Sequence, residues 1–352
     1  MKRESILPEE LQKAVNEEAK NRISKMLSGV LRYYDTAYER NVPEVPVVWS
    51  KGSARLLDYG CRVKNIKSVV LFVPSLINRY YILDLEEKRS FMRYLASEGI
   101  YPLLLDWGVP SDAEKDFNCA DYVTEILCPT IDFINKISGS ISIAGYCMGG
   151  VLALAASKIV RKKISSLALL ATPWDFHCPQ FKPFILEEKW QKEMNSQIDK
   201  NDFLPAQIIQ SLFYLTDPFV FEHKFCRYSD LAENGAAAKE FVALEHWVND
   251  GVPMTAKVGS DCLVGWAQRN ALSKEEWLVS GKKVTPPSAS LPTFIAIPKN
   301  DNVVPYECAM PLARKCPNAH IIRPKTGHVG MVVGKNAKKE LWEPYTDWLL
   351  SV

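Results

Sequence analysis

The apolar residues of this chain follow two different patterns, one before and one after residue 68. Between residues 8 and 40 they recur at three- and four-residue intervals among charged positions, which predicts a long amphipathic helix. These positions are Leu11, Val15, Ile23, Met26, Leu27, Val30, Leu31 and Tyr34. Such a helix packs on its own domain or docks on a partner or a hydrophobic particle, and the pattern leaves both open.

From Ser68 onward the chain contains short, wholly apolar runs bounded by turn residues, which is typical of parallel strands covered by helices on both faces. The predicted strands are Ser68–Val73, Tyr101–Asp106, Ser140–Ala144, Ile164–Thr172, Leu291–Pro298 and Ala319–Arg323. The predicted helices between and after them are Leu85–Glu98, Tyr122–Lys136, Gly149–Val160 and Asn336–Leu350. The alternation predicts an α/β fold with a mostly parallel central sheet.

The alternation stops after Trp174 for more than a hundred residues, which is too long for a plain loop and predicts an inserted helical cap. The cap is rich in aromatic residues, most of which we expect in a second small core and some along an apolar substrate passage. The predicted organisation is an amino-terminal helical segment at 1–45, a core at 46–173, a cap at 174–288 and the rest of the core at 289–352.

Composition narrows the class of protein. Lys and Arg number 43 against 41 Asp and Glu, so no strong field favours nucleic acid as a partner. The first ten residues lack the apolar run of a signal peptide, no stretch approaches the length of a membrane span, and we expect a cytoplasmic protein. Nine cysteines without a CxxC pair favour reduced, mostly buried thiols.

One glycine-rich motif lies between a predicted strand and a predicted small-residue helix: Gly145-Tyr146-Cys147-Met148-Gly149-Gly150. This is the setting in which G-x-S-x-G forms a nucleophile elbow, with cysteine here in the place of serine. The elbow is a sharp turn, and glycine two residues before and after the nucleophile avoids collisions with neighbouring backbone. The motif therefore predicts that Cys147 is a covalent nucleophile.

A nucleophilic cysteine needs a base, and the base needs a group that orients it. In this fold the acid and then the histidine follow the nucleophile along the chain. Asp301 comes just after the predicted strand Leu291–Pro298, and His328 comes after the next strand. Both therefore lie where the active sites of open α/β sheets assemble, which predicts a Cys147, Asp301 and His328 triad.

An oxyanion formed during acyl transfer needs backbone N–H donors. Met148, the residue after the nucleophile, is predicted to supply one, and Ser75 or Leu76 the other, because Pro74 has no N–H. In the predicted cap, His246 and Trp247 are candidate substrate contacts. We find no metal-ligand spacing or dinucleotide fingerprint, so no metal or redox cofactor is expected.

Several segments together resemble the catalytic subunit of polyhydroxyalkanoate synthases, in the short form. They are Pro74 to Leu85, Asp106-Trp107, the Gly145 to Gly150 elbow and Gly327-His328-Val329-Gly330. The resemblance extends from about residue 66 to residue 352 and implies an α/β-hydrolase fold. It also implies that Cys147 carries the acyl group, that His328 activates Cys147 and that Asp301 assists.

The resemblance implies an acyltransferase that polymerises (R)-3-hydroxyacyl-CoA into polyester and releases CoA, which enters only as part of the substrate. A second synthase subunit, self-association and the surface of a polyester granule are the candidate partners. A polyester depolymerase or an acyl-CoA thioesterase with the same triad is the alternative, and a noncatalytic granule-binding protein is a further one. The cap should distinguish a polymerase from a hydrolase, because a polymerase must keep water away from the acyl-enzyme.

Overall fold

The structure, a computed structural model, describes residues 8–208, 219–233 and 235–352. The chain divides into two compact units. Among the described residues, the first unit contains 8–40, 219–233 and 235–249, and the second contains 41–208 and 250–352. Each unit has its own apolar core.

The second unit is built on an eight-stranded sheet with the order β1-β2-β4-β3-β5-β6-β7-β8. Its strands are β1 (Val47–Lys51), β2 (Ala54–Asp58), β3 (Ser68–Val73), β4 (Ile100–Asp106), β5 (Ile141–Tyr146), β6 (Ile164–Leu170), β7 (Thr293–Ala296) and β8 (His320–Ile322). β2 is antiparallel to β1 and to β4, and all the other neighbours are parallel. The predicted α/β class with a mostly parallel sheet is confirmed.

Alternate residues of the central strands point to two separately covered faces, as the period of a strand requires. On β3, Leu71 and Val73 pack in the main apolar cluster with residues of the Met148–Ile159 helix, including Val151 and Leu152. Phe72 lies on the other face, where its ring contacts Phe91 and Tyr345. Burial on both faces explains why these strands are continuously apolar in the sequence.

The helices of the second unit agree in part with the predicted ones. They are Phe91–Ser97, Cys119–Asp121, Cys128–Ser138, Met148–Ile159, Lys182–Ile185, Glu188–Lys200, Ala256–Gly259, Tyr306–Arg314, Gly330–Val333 and Glu343–Ser351. Wider π-helical turns at Tyr122–Leu127, Ser260–Gln268 and Lys338–Trp342 adjoin four of them, and 3₁₀ turns occupy Tyr80–Leu83 and Arg161–Lys163. Three short antiparallel pairs join Asp84–Glu86 to Arg89–Ser90, Phe203–Leu204 to Met254–Thr255, and Leu278–Val279 to Lys282–Lys283.

One prediction about local structure was wrong. The helix predicted from Leu85 begins only at Phe91, because a small hairpin precedes it and Ser90 caps the helix by accepting a hydrogen bond from the backbone N–H of Arg93. The strands β1 and β2 had no counterpart among the predicted strands. β1 is largely exposed at the sheet edge, so it lacks a strong apolar pattern.

The first unit consists of the helix Pro8–Asp35 and the helices Val220–Ser229 and Ala236–Asn249. Its core contains Tyr33, Phe225, Tyr228, Ala238 and Val242. The long helix approaches the second closely at Gly29, where any side chain would overlap the backbone carbonyl of Phe225. The amino-terminal helix therefore packs on its own unit, which is one of the two placements that the sequence left open.

The predicted domain boundaries at 45, 173 and 288 stay predictions. Residues 219–249 of the predicted cap group with the amino-terminal helix, whereas the cap residues on either side group with the sheet. Residues 1–7 of the predicted helical segment, and residues 209–218 and 234 of the predicted cap, lie outside the described residues. Within the described ranges, none of the helices has the length and apolar character that crossing a membrane requires.

Candidate active site

Cys147 occupies a sharp turn between β5, which ends at Tyr146, and the helix Met148–Ile159. Its backbone has φ 55° and ψ −127°, a combination that residues other than glycine rarely adopt. The turn is held because the N–H of Cys147 donates to the carbonyl of Leu170 on β6 at 2.8 Å. A strained non-glycine residue fixed by its surroundings is the form of a nucleophile elbow.

The elbow glycines are required by close backbone approaches. A Cβ at Gly145 would overlap the backbone of Gly149, and a Cβ at Gly149 would overlap the carbonyl oxygens of Val73 and Pro74. The start of the Met148–Ile159 helix is therefore pressed against the loop that follows β3. A larger residue at either glycine would displace the turn that carries Cys147.

Asp301 and His328 meet across the loops that follow β7 and β8. Nδ1 of His328 lies 2.7 Å from Oδ2 of Asp301, and both side chains are buried. The other carboxylate oxygen accepts from the backbone N–H groups of Val303 and Val304 at 2.9 and 2.7 Å. Because a carboxylate accepts, Nδ1 donates to it and Nε2 is the nitrogen left for proton transfer.

The electrostatics of His328 favour its protonated form. Burial of the imidazole opposes protonation, but the negative charges of Asp301 and Cys147 and the hydrogen bonds to them outweigh burial. Together they raise the pKa of His328 from 6.5 to about 10. The imidazole is therefore a strong acceptor for a thiol proton, as a general base for cysteine requires.

The structure brings the three predicted triad residues together within one unit. Cys147 lies near enough to the imidazole of His328 to raise its pKa, and Asp301 binds Nδ1 of the same ring. Cys147 itself is half-buried. This arrangement can perform acyl transfer through a covalent thioester.

The two predicted sources of oxyanion donors lie on adjacent strands. Val73 of β3 is the direct partner of Gly145 of β5, so the loop containing Ser75 and Leu76 starts beside the turn containing Met148. Ser75 and Leu76 are both buried, and the Ser75 hydroxyl accepts from the N–H of Ile77 at 3.2 Å. The placement agrees with an oxyanion hole at this position, and the role of each donor stays a prediction.

His246 and Trp247, the predicted substrate contacts, belong to the other unit. Both lie on the helix Ala236–Asn249, where the ring of His246 is 5.5 Å from that of Tyr33 and 4.6 Å from that of Tyr38. Trp247 is buried. Their contact with substrate stays a prediction.

Three residues that touch the site or the loop beside it had no role predicted from the sequence. Tyr146 contacts His328, and Arg79 and Asp250 form an ion pair beside the loop that follows β3. The signal for Tyr146 was an aromatic residue directly before the nucleophile. For Arg79 it was a charge inside an otherwise apolar and aromatic segment, while Asp250 had no signal of its own.

Metal-ligating side chains do not cluster in residues 8–208, 219–233 and 235–352. No three His, Cys, Asp or Glu residues in these ranges are grouped as ligands of one ion. The donors gathered around Cys147 are suited to acyl and proton transfer.

The sheet order, the elbow and the chain order of nucleophile, acid and histidine together define an α/β-hydrolase-fold protein, as predicted. The solved structure of DcsB in complex with its substrate analogue is similar, with a TM-score of 0.52 and 14% sequence identity. The match covers 85% of this chain and 94% of that chain and supports the fold alone.

Sequence comparisons confirm the predicted relationship to polyhydroxyalkanoate synthases. Residues 41–95 match the family described as the Poly-beta-hydroxybutyrate polymerase (PhaC) N-terminus. The chain is 29% identical over 326 residues to the Poly(3-hydroxyalkanoate) polymerase subunit PhaC of Haloferax mediterranei, covering 89% of this chain. It is also 29% identical over 318 residues to the subunit of the same name from Haloarcula marismortui, covering 86% of this chain.

The match spans slightly less than two thirds of each of these relatives, 65% of the Haloferax protein and 66% of the Haloarcula protein. The chain is thus similar in sequence to PhaC polymerase subunits and has an α/β-hydrolase fold.

Proposed function

We propose that this chain is the catalytic part of a polyhydroxyalkanoate synthase, which polymerises (R)-3-hydroxyacyl-CoA and releases CoA through a thioester on Cys147. The observation that carries the proposal is the buried Asp301–His328 pair beside a cysteine at the elbow of a chain related to PhaC polymerases. A cysteine nucleophile suits the reaction because thioester exchange costs little free energy and keeps the acyl group activated.

In the first half of the reaction His328 takes the thiol proton of Cys147, and the sulfur attacks the thioester carbonyl of the substrate. The backbone N–H of Met148 and one from Ser75 or Leu76 stabilise the oxyanion. The carbon–sulfur bond to CoA breaks, and the imidazolium returns the proton to the leaving CoA thiolate. The acyl group is then held on Cys147 as a new thioester.

In the second half the 3-hydroxyl of another hydroxyacyl unit attacks this thioester. His328, held by Asp301, takes the hydroxyl proton, an oxoester bond forms and the Cys147 thiolate leaves. The proton on the imidazole restores the thiol. Chain growth requires a hydroxyl rather than water as the acceptor, and this requirement separates the synthase from a depolymerase or thioesterase with the same triad.

The first test is incubation of the purified chain with (R)-3-hydroxybutyryl-CoA, with and without a candidate second subunit, while CoA release and acyl product are followed together. We expect CoA release with polyester formation, and neither in Cys147→Ala. CoA release with free hydroxy acid would make the chain a hydrolase. CoA release by Cys147→Ala at the native rate would remove Cys147 from the mechanism.

The outer surface of the helix Pro8–Asp35 carries a stripe of apolar side chains. Gly29 and Tyr33 face the core of their unit, whereas the exposed fractions of Ile23, Leu27 and Leu31 are 54%, 50% and 64%. We propose that this surface contacts the polyester granule and holds a cytoplasmic enzyme at its product, because apolar side chains gain free energy by leaving water at an apolar surface.

Deleting the helix is a poor test, because Tyr33 would be lost from the core of its unit. The sharper variant is the double change Leu27→Gln and Leu31→Gln. We expect it to reduce co-sedimentation with polyester particles, while the matched change of exposed Ile66 and Ile137 to Gln does not. A second subunit or self-association as the occupant would instead appear as lost complex or dimer in sedimentation velocity with unchanged particle binding.

A further inference from the structure

Tyr146 lies directly against the imidazole of His328. The two ring centroids are 5.1 Å apart and the planes are tilted by 35°, so the rings meet closer to face-to-face than edge-on. Tyr146 is the last residue of β5 and pairs with Leu170 of β6, which fixes its backbone in the sheet. Its side chain is 3% exposed, so the position of the ring is set by packing.

The imidazole of His328 is thus held by three neighbours. Asp301 binds one nitrogen, Cys147 interacts with the ring, and Tyr146 lies against its plane. The face of an aromatic ring carries partial negative charge and attracts a cation placed against it, more strongly in a site that excludes water. The ring of Tyr146 therefore stabilises the charged imidazolium more than the neutral imidazole.

We propose that Tyr146 is a positioning residue of the triad, whose ring orients His328 and stabilises the imidazolium formed when His328 takes the Cys147 proton. The inference rests on the proposed role of Cys147 and His328 in acyl transfer. The step moves one proton from Sγ to Nε2 and leaves a thiolate, and it requires no further reactant.

The ring carries this role and the hydroxyl does not. The hydroxyl donates to the backbone carbonyl of His328 at 3.3 Å, which is a long hydrogen bond and does not reach the imidazole. Burial, with the charges of Cys147 and Asp301, raises the pKa of the Tyr146 hydroxyl, so it stays neutral and adds no charge. The titratable groups acting on His328 are Asp301 and Cys147, and a substitution at Tyr146 leaves both in place.

The test compares Tyr146→Leu, which removes the ring, with Tyr146→Phe, which removes only the hydroxyl. A matched control is Tyr94→Leu, because Tyr94 contacts Trp342 with almost the same geometry, 5.3 Å and 36°. The readout is an NMR titration of the imidazole resonances of the full chain. The chain has five histidines, and His328 is assigned by the signal that disappears in His328→Gln.

We expect Tyr146→Leu to lower the pKa of His328 by about one unit, a tenfold loss of proton affinity. It should also slow alkylation of Cys147 by iodoacetamide. Tyr146→Phe and Tyr94→Leu should leave the pKa of His328 unchanged. The proposal is overturned if Tyr146→Leu lowers the melting temperature but leaves the pKa of His328 unchanged, as is expected of Tyr94→Leu. It is also overturned if Tyr146→Phe lowers the pKa of His328 as much as Tyr146→Leu does.

Neither readout uses an acyl-CoA, so this inference and the proposed function fail separately. If no acyl-enzyme forms with (R)-3-hydroxybutyryl-CoA but Tyr146→Leu still lowers the pKa of His328, the synthase reaction is wrong and the role of Tyr146 stands. If polyester forms and the pKa does not move, only the role of Tyr146 is wrong.

Discussion

Asp250 binds Arg79 across a separation of 171 residues, with Oδ1 of Asp250 3.2 Å from Nε of Arg79. Its other oxygen accepts from the hydroxyl of Tyr81 at 2.9 Å. Beside this pair, the N–H of Val252 donates to the carbonyl of Ile77 at 3.0 Å. The segment after Asp250 is therefore fastened to the loop after β3, which contains the predicted oxyanion donors.

Replacing Asp250 with Ala should reduce acylation without unfolding the chain. The ion pair is partly exposed, so its loss should cost roughly 1 kcal/mol of stability or less. A displaced oxyanion donor costs more in rate than in stability, and we expect kcat to fall about tenfold. Single-turnover CoA release measures the effect, and the exposed Asp116, paired with Lys257 at 2.8 Å, gives the control Asp116→Ala. Equal rates in the two variants would show that the Arg79–Asp250 pair does not position the loop.

Gly149→Ala tests the close approach between the elbow helix and the loop after β3. Because the new Cβ would overlap two backbone carbonyls that cannot rotate away, we expect a loss of about 2 kcal/mol of stability or more. The control is Gly265→Ala, where the nearest atom to a Cβ is 3.9 Å away. Urea unfolding should separate the two variants, and equal stabilities would mean that the elbow can move away from the loop.

The sequence could indicate that Cys147, Asp301 and His328 lie together because the signals for these residues are local and directional. Gly145 and Gly149 flank the nucleophile at fixed spacing, and Asp301 and His328 follow strand ends in the expected chain order. The carboxyl ends of parallel strands lie at one edge of the sheet. Residues that directly follow such strands are therefore expected to lie close together. The central strands were predicted well for the same reason, since both faces are buried and the sequence there is uniformly apolar.

The other elements of the fold could not be predicted, because they depend on contacts that leave no periodic pattern in the sequence. β1 lies exposed at the edge of the sheet, and the hairpin at Asp84–Ser90 has strands of three and two residues. The helix Val220–Ser229 packs with the amino-terminal helix through contacts between residues about two hundred positions apart, such as the hydrogen bond from Arg32 to the carbonyl of Tyr228. Long-range packing of this kind cannot be read from local patterns.

Asp301→Asn should disable the base while preserving the fold. An asparagine side chain can present its N–H₂ to Nδ1 of His328, which places the ring proton on Nε2, where the thiol proton must arrive. We expect the acylation rate to fall roughly 10³- to 10⁴-fold. The control is Asp132→Asn, because Asp132 is half exposed and paired with Lys163 at 2.6 Å. If Asp301→Asn keeps more than a tenth of the native rate with an intact fold, Asp301 is not the residue that orients His328.

The raised pKa of His328 also predicts how stability depends on pH. Burial opposes protonation, but the charges of Asp301 and Cys147 outweigh it, so the folded chain holds this proton up to a pKa of about 10, against 6.5 for an ordinary histidine. A group whose pKa is raised by folding stabilises the fold fully below its unfolded pKa. That contribution, on the order of a few kcal/mol, should then fall as the pH rises from about 6.5 to about 10.

Urea unfolding of wild type and His328→Gln across this range measures the effect, and the difference between them removes the titration of all other groups. We expect wild type to lose stability relative to His328→Gln as the pH rises, and His320→Gln, a change at an exposed histidine of β8, to follow wild type. A difference that stays constant with pH would mean that the imidazole holds no extra proton in the folded chain. The imidazole would then hold at most the proton that it takes from Cys147, because moving that proton from sulfur to nitrogen leaves the number of bound protons unchanged.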